Sequence, residues 1–284
     1  MKKVVFLILH YLTIEDTIKC VDSINIKCKD KNYEILIVDN GSKNNTGLEL
    51  QKKYKTNEKI TILLSDKNLG FASGNNLGFK YAKENMNPDF IVMINNDIIM
   101  LQEDFIDKII EEYDNSHFAV LGPKIILNGH EFNYPDQMPT LKELKRIRFK
   151  TKRLYYFNKI YLRYIISIII RIEKILKKEK KYNINIRKED VLLNGCCLIF
   201  SRKYINLFNG LDSRTFLYYE EQLLLLRVRN NNLKIVYNPK LEIYHNEGVS
   251  TNKSIKNKRK RFDFKLKNEL DSLNILINEM EKSK

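Results

Sequence analysis

The sequence predicts an α/β protein built on a mostly parallel sheet with helices packed over its faces. Two observations carry this. Short runs rich in Val, Ile and Leu alternate with segments of helical periodicity through the first half of the chain. Several of these runs also end abruptly in polar turn residues, as a buried strand does where it reaches the sheet edge.

Taken in order, "KVVFLILH" (3–10) reads as a strand and "EDTIKCVDSI" (15–24) as a helix with apolar residues at helical spacing. "YEILIVDNGS" (33–42) is a second strand closing in a turn, and "TGLELQKKY" (46–54) is helical. "KITILLS" (59–65) is a third strand, "SGNNLGFKYAKEN" (73–85) a helix, and "DFIVMINND" (89–97) a fourth strand. From about 130 to 190 the pattern becomes helical, basic and aromatic-rich, with an Ile-rich patch at Ile165–Ile170. "DVLLNGCCLIFSRKYI", "FLYYEEQLLLLRVRNNN" and "LKIVYNPKLEIYHNEG" then read as strand, helix and strand. A final helix places Leu266, Leu270, Leu273, Ile277 and Met280 on one face, which could pack on the core, on a second subunit or on lipid.

Bulk properties narrow the class. A chain of 284 residues has the length for one large core. Cys20, Cys28, Cys196 and Cys197 form neither a disulfide framework nor a zinc-type C-x-x-C pair, which fits a reducing cytoplasm. "MKKVVFLILHYL" reads as a first strand rather than a signal peptide, because its apolar run is short and leads into Glu15 and Asp16. The net charge of +15 is local: residues 141–190 hold 17 Lys and Arg against 5 Asp and Glu. Lys159, Arg163 and Arg171 interrupt the apolar run there, so an interfacial helix on anionic lipid is expected rather than a membrane span. A plain surface insertion is the alternative. The basic segment also admits a nucleic-acid-binding protein, but no RNA or DNA motif accompanies it.

Open sheets of this kind bind ligands beyond the carboxyl ends of their strands. That rule selects the loop after His10, the loop at Asp39–Ser42 and the loop at Asn95–Asp97. A carboxylate such as Asp39 at a strand end can accept from a base N–H or a ribose hydroxyl, and Asn40-Gly41 permits a turn. In "NLGFASGNNLG" (68–78), Asn68, Ser73, Asn75 and Asn76 with Gly70, Gly74 and Gly78 suit either a helix N-terminus facing phosphate or ribose, or close helix–sheet packing. In "FIVMINNDIIM" (90–100) a single acid, Asp97, could hold a divalent metal whose remaining ligands are phosphate and water oxygens. Asn96 could contact ribose or orient that carboxylate. In "YYEEQ" Glu220 and Glu221 point about 100° apart on a helix, so one could act as a general base while the other pairs with Arg227 or caps the helix. His245 in "YHNEGVS" is a metal or phosphate candidate, or simply structural.

The succession "LILHY", "IVDNGS", "NLGFASGNNLG", "INND", "NGCCLIFSRK", "FLYYEE" and "YNPKLEIYHNEGVS" resembles glycosyltransferase family 2, nearest to the branch of bacterial rhamnosyltransferases and capsule or O-antigen transferases. The resemblance spans roughly 3–128 and 190–252. It implies a GT-A fold over residues 1–252, with the basic helical insertion at about 130–190 and a basic helical tail over 253–284. It implies an inverting transfer of sugar from a UDP- or dTDP-sugar to a hydroxyl of a lipid-linked or polysaccharide acceptor. Asp39 would bind the base, with Asn40, Asn68, Gly70, Asn76 and Asn96 near the nucleotide and sugar. Asp97 would hold Mn²⁺ or Mg²⁺, with His245 as a further contact, and Glu221 or Glu220 would be the base. The usual E-D-x-D reads Glu220-Glu221-Gln222-Leu223, and the usual D-x-D reads Asn95-Asn96-Asp97. The expected setting is the cytoplasm, peripheral at the inner membrane face, with no nucleic-acid partner and an oligomer open to the C-terminal helix. A nucleotidyltransferase on the same platform is the second enzymatic reading.

Overall fold

The computed structural model describes residues 1–127, 130–131, 136–160, 183–246 and 257–282. Its first half alternates as the sequence predicts: β1 (Val4–His10), α1 (Ile14–Lys27), β2 (Tyr33–Asp39), α2 (Thr46–Lys53), β3 (Ile60–Leu64), α3 (Phe71–Asn85) and β4 (Phe90–Asn95). The chain continues through β5 (Ile98–Met100), α4 (Phe105–Ser116), β6 (Val120–Leu127), β7 (His130–Glu131) and α5 (Leu141–Lys159). It then forms β8 (Lys188–Glu189), β9 (Cys197–Ser201), α6 (Arg202–Leu207), α7 (Glu220–Asn230), β10 (Ile235–His245) and α8 (Lys258–Lys282).

The strands join in the order β3-β2-β1-β4-β9-β6-β10-β5. The pairs β3–β2, β2–β1 and β1–β4 are parallel, as expected. Their near-continuous apolar runs follow from burial on both faces. Val4, Phe6 and Ile8 of β1 face one core, with Ile35, Ile37, Val92 and Ile94. Val5 and Leu7 face the other, with Leu36, Val38, Ile91 and Met93.

The parallel rule ends at β9, which runs antiparallel between β4 and β6, so the sheet is mixed. This reversal has a functional consequence. It carries the residues just before β9 to the carboxyl edge of β4, where Asn95 N–H donates to the Cys196 carbonyl (3.0 Å). A second reversal comes from β5, which lies antiparallel on β10 and pairs Ile98 with His245. Ile98 and Met100 of this short strand are buried.

The expected strand over 190–205 is strand only at Cys197–Ser201 and turns directly into α6, while the expected helix over 216–232 starts four residues later, at Glu220. The Ile165–Ile170 patch and Lys256 lie outside the described residues. Among the described residues no helix is long and apolar enough to cross a membrane.

The helix α5 begins with a capping box between Thr140 and Glu143. It runs antiparallel to α8, as the pairs Lys145–Glu281 (2.6 Å) and Lys159–Asp263 (3.1 Å) at opposite ends require. Leu144 of α5, Leu223 and Leu226 of α7, and Leu273, Leu276 and Ile277 of α8 form one buried cluster. The apolar face of the last helix is therefore used inside the chain rather than left open for a second subunit. Replacing Leu273, which is fully buried, by Ala should lower unfolding free energy by about 2–5 kcal/mol in urea titration. A loss below about 0.5 kcal/mol, the size of a surface effect, would mean that α8 is a detachable tail.

Candidate active site

The carboxyl edge of the parallel strands is built on buried polar side chains. His10, at the end of β1, is buried; its Nδ1 lies 2.7 Å from Thr17 Oγ1 and its Nε2 2.8 Å from Thr46 Oγ1. Burial lowers its pKa to about 4 against the pull of Asp39, so it is neutral at physiological pH. The Asp39 carboxylate lies 4.0 Å from this ring and accepts from Ser42 N–H (3.2 Å).

Asn40 is consumed as a clamp on the following loop. Its Nδ2 donates to Asn68 Oδ1 (3.2 Å) and the Gly70 carbonyl (3.0 Å), while its Oδ1 accepts from Leu69 N–H (2.9 Å). Asn68 Oδ1 also accepts from Gly70 N–H (2.8 Å). Gly70 has φ +83 and lies so close to Phe216 that a Cβ would overlap the Phe216 carbonyl. Phe71 N–H donates to that same carbonyl (2.8 Å), which joins the loop at 68–70 to the segment ahead of Glu220.

Two predicted contacts face inward instead of toward a cleft. Both amide atoms of Asn76 are used by the Leu211 backbone, donating to its carbonyl (2.9 Å) and accepting from its N–H (2.7 Å). Asn96 donates to Thr13 Oγ1 (2.8 Å) and Thr17 Oγ1 (3.0 Å), tying β4 to the start of α1. Of the three polar residues in "NND", Asn95 lines the cleft and Asp97 stands at its edge.

That cleft has a volume of about 460 Å³ and is lined by Asn95, Gly195, Tyr219, Glu220, Glu221 and His245 among others. Two larger facts define its chemistry. Asp97 Oδ1 sits 3.2 Å from His245 Nε2, off the hydrogen-bonding line, and is buried with no hydrogen-bond partner. Antiparallel pairing of β5 and β10 brings these two together across the sequence. A buried carboxylate oxygen beside an imidazole, neither satisfied by the other, matches the sparse donor set that holds a nucleotide-borne Mn²⁺ or Mg²⁺. Among the described residues no cluster of three or more such groups exists.

The second fact is the acid pair. Glu221 Oε1 accepts from Gly195 N–H (3.1 Å), and a Cβ at Gly195 would lie only 2.7 Å from that oxygen. Burial raises the Glu221 pKa, partly offset by this hydrogen bond. Glu220 is buried, its Oε1 has no hydrogen-bond partner, and burial with the adjacent Glu221 charge pushes its pKa up to about 8. The two acids are thus unlike: at neutral pH Glu220 is protonated. Arg227, a candidate partner for one of them, instead donates to the Gly210 carbonyl (2.7 Å) and stacks on Phe208.

Tyr218 and Tyr219 precede the acids with φ +74 and +66. Left-handed backbone at two bulky residues costs on the order of 1–3 kcal/mol each and persists only where neighbours impose it. Here α8 imposes it: Ser272 Oγ donates to the Leu217 carbonyl (2.8 Å), and Phe264 meets Phe216 edge-on at 6.0 Å. The same helix lends Lys265 and Glu269 to the cleft lining. Sequence reading missed these two, along with Gly195 and the tyrosines. The "NGCC" and "YYEE" runs were visible, but which backbone would meet which acid was not.

A mixed sheet of this order with a cleft at its carboxyl edge defines a GT-A-type nucleotide-binding fold. Glycosyl transferase family 2 matches residues 7–205, and the chain belongs to that family. Its structure is similar to that of S. aureus TarS 1–349 in complex with UDP-GlcNAc, with a TM-score of 0.55 at 17% identity, covering 88% of this chain and 60% of that one. Among curated proteins it is similar to the low-salt glycan biosynthesis hexosyltransferase Agl10 of Haloferax volcanii, 22% identical over 76% of this chain and 60% of the relative. It is also similar to the dTDP-rhamnosyl transferase RfbF of Shigella flexneri, 25% identical over 44% of this chain and 40% of the relative. The matched region therefore spans less than two thirds of each relative.

Because the Glu220 carboxyl binds its proton more tightly folded than unfolded, its contribution to stability is full below about pH 4.5 and is lost as pH rises toward 8. Glu220→Gln should raise the melting temperature at pH 8 and change it little at pH 5. An equal shift at both pH values would contradict the buried, protonated carboxyl.

Proposed function

We propose that this chain is an inverting glycosyltransferase that transfers a sugar from a UDP- or dTDP-sugar to a hydroxyl of a lipid-linked or polysaccharide acceptor in cell-surface polysaccharide synthesis. The observation that carries the reading is the gathering of the unsatisfied Asp97 Oδ1, His245 and the two unlike acids around one cleft of a family 2 sheet. The UDP and UDP-GlcNAc complexes of TarS and the dTDP-rhamnosyl transferase relative support the donor class.

In this reading Glu221 is the base. Gly195 N–H fixes one of its oxygens, leaving the other to take the proton of the acceptor hydroxyl. The acceptor oxygen bonds to the anomeric carbon, and the bond to the diphosphate oxygen breaks with its electron pair leaving on the diphosphate. One basic carboxylate supports a single displacement and inversion, since retention by double displacement needs a nucleophile as well. Glu220, protonated at neutral pH, holds a proton rather than accepting one. Asp97 and His245 would hold the divalent cation, which neutralises charge developing on the diphosphate. Asp39 is assigned to the base of the nucleotide, with Asn40 and Asn68 shaping its loop. A lipid-linked acceptor places the enzyme peripherally at the inner face of the membrane.

The test is a donor screen by nucleotide-diphosphate release, with and without Mn²⁺ or Mg²⁺. Glu221→Gln should cut transfer by about 10²–10⁴-fold while nucleotide affinity is kept. Asp97→Ala should lose both transfer and the metal dependence of nucleotide binding. Full activity in both variants would overturn the site assignment.

A further inference from the structure

Buried Leu144, Thr151, Leu154 and Asn158 define the inner face of α5. On the opposite face a single line at three- and four-residue spacing holds Lys142, Arg146, Phe149, Arg153, Tyr156 and Ile160. Its apolar members stand out in solvent: Phe149 is 65% exposed, Tyr156 61% and Ile160 43%. The Arg153 guanidinium lies 5.8 Å from the Phe149 ring and 5.9 Å from the Phe157 ring. Glu143 is the one acid between 141 and 160, and it is engaged in the capping box. The flanking Lys145 and Lys159 are paired with Glu281 and Asp263 of α8, which fixes which way the helix faces.

We propose that this outward face of α5 docks on an anionic bilayer surface. Cations set among exposed aromatic and aliphatic side chains match the boundary between headgroups and acyl chains. There the cationic heads stay hydrated among lipid phosphates while rings and Ile160 enter the apolar layer. A polyanion in solution would use the cations but leave the Ile160 side chain without a counterpart. The sequence-based membrane expectation covers the whole of residues 141–190; the outward face of α5 narrows it to six positions of one helix. Docking also has a steric consequence. The helix α8 packs on α5 through Leu273, Leu276 and Ile277 and lends Lys265 and Glu269 to the cleft. Docking through α5 therefore holds one wall of the cleft about one helix layer, roughly 10 Å, from the headgroups. A membrane-linked saccharide can reach that distance.

The inference rests on the proposed function only for the nature of the acceptor; docking itself is read without catalysis. The experiment is co-sedimentation of the full chain with vesicles of phosphatidylcholine alone, or with about one third phosphatidylglycerol, the anionic charge that attracts basic helices. Wild-type protein should partition onto the anionic vesicles only. Arg146→Glu with Arg153→Glu should reduce partition about ten-fold or more. Phe149→Ser with Tyr156→Ser, which keeps the charge, should reduce it several-fold. Circular dichroism melting of both variants checks that the fold is kept; these positions are exposed, and Lys142→Glu with Phe149→Ser serves as a second pair if either melts early. Equal binding to neutral vesicles, or undiminished binding by both variants, would overturn the proposal. So would loss of binding in the charge variant alone with full competition by polyuridylate, which would mark a polyanion site. Failure of UDP to bind any form would count against the donor reading and leave the docking result standing.

Discussion

The site depends on one pairing: β9 lies antiparallel against β4. Cys197 opposite Ile94 and Ser201 opposite Phe90 set the register. That register puts Gly195 and Cys196 at the carboxyl edge of a strand that was ready to bind ligand in any case. From there the Gly195 N–H reaches the acid of α7, more than twenty residues further on. A slip of one residue would move the Gly195 N–H away from Glu221. A methyl group at Gly195 would lie 2.7 Å from Glu221 Oε1, so that carboxylate would have to shift to admit it.

Around this pairing the protein converts polar residues into fasteners. Asn40, Asn76 and Asn96 each sit beside the cleft's supporting loops in sequence, yet each spends its amide on backbone, threonine or asparagine groups of the protein. Buried amides are costly unless paired, so pairing fixes the loops in one arrangement. The exceptions are then informative. Among the buried side-chain atoms with no hydrogen-bond partner are Glu220 Oε1, in the cleft lining, and Asp97 Oδ1, beside His245 of that lining. In the proposed reading the unlike environments of the two glutamates make Glu220 the proton holder and Glu221 the base.

Much of the fold was legible because strand burial on both faces writes unbroken apolar runs, as in Phe90–Ile94 and Leu36–Val38. The carboxyl-edge rule then located Asp39 and Asp97 without coordinates. The antiparallel place of β9 was not legible, since "CCLIF" reads the same in either direction. The roles of Asn76 and Asn96 were equally hidden, because a short polar side chain near a strand end looks alike whether it faces ligand or loop. The helix α8 was readable as amphipathic, but its partner was not. Only packing shows that it braces the strained Tyr218–Tyr219 backbone through Ser272 and Phe264. It also supplies Lys265 and Glu269 to the cleft from beyond the segment matched to the family.

The central claim is that Asp97 and His245 seat a cation-bound nucleotide diphosphate beside Glu221. The most direct measurement is anomalous diffraction from crystals grown with UDP or dTDP and Mn²⁺. The account predicts a manganese peak about 2.2 Å from the Asp97 carboxylate, the usual distance for oxygen ligands of such ions. Diphosphate oxygens should share that ion, and the Glu221 carboxyl should face the open end of the cleft. A nucleotide bound with its manganese remote from Asp97, or lying over another edge of the sheet, would contradict it.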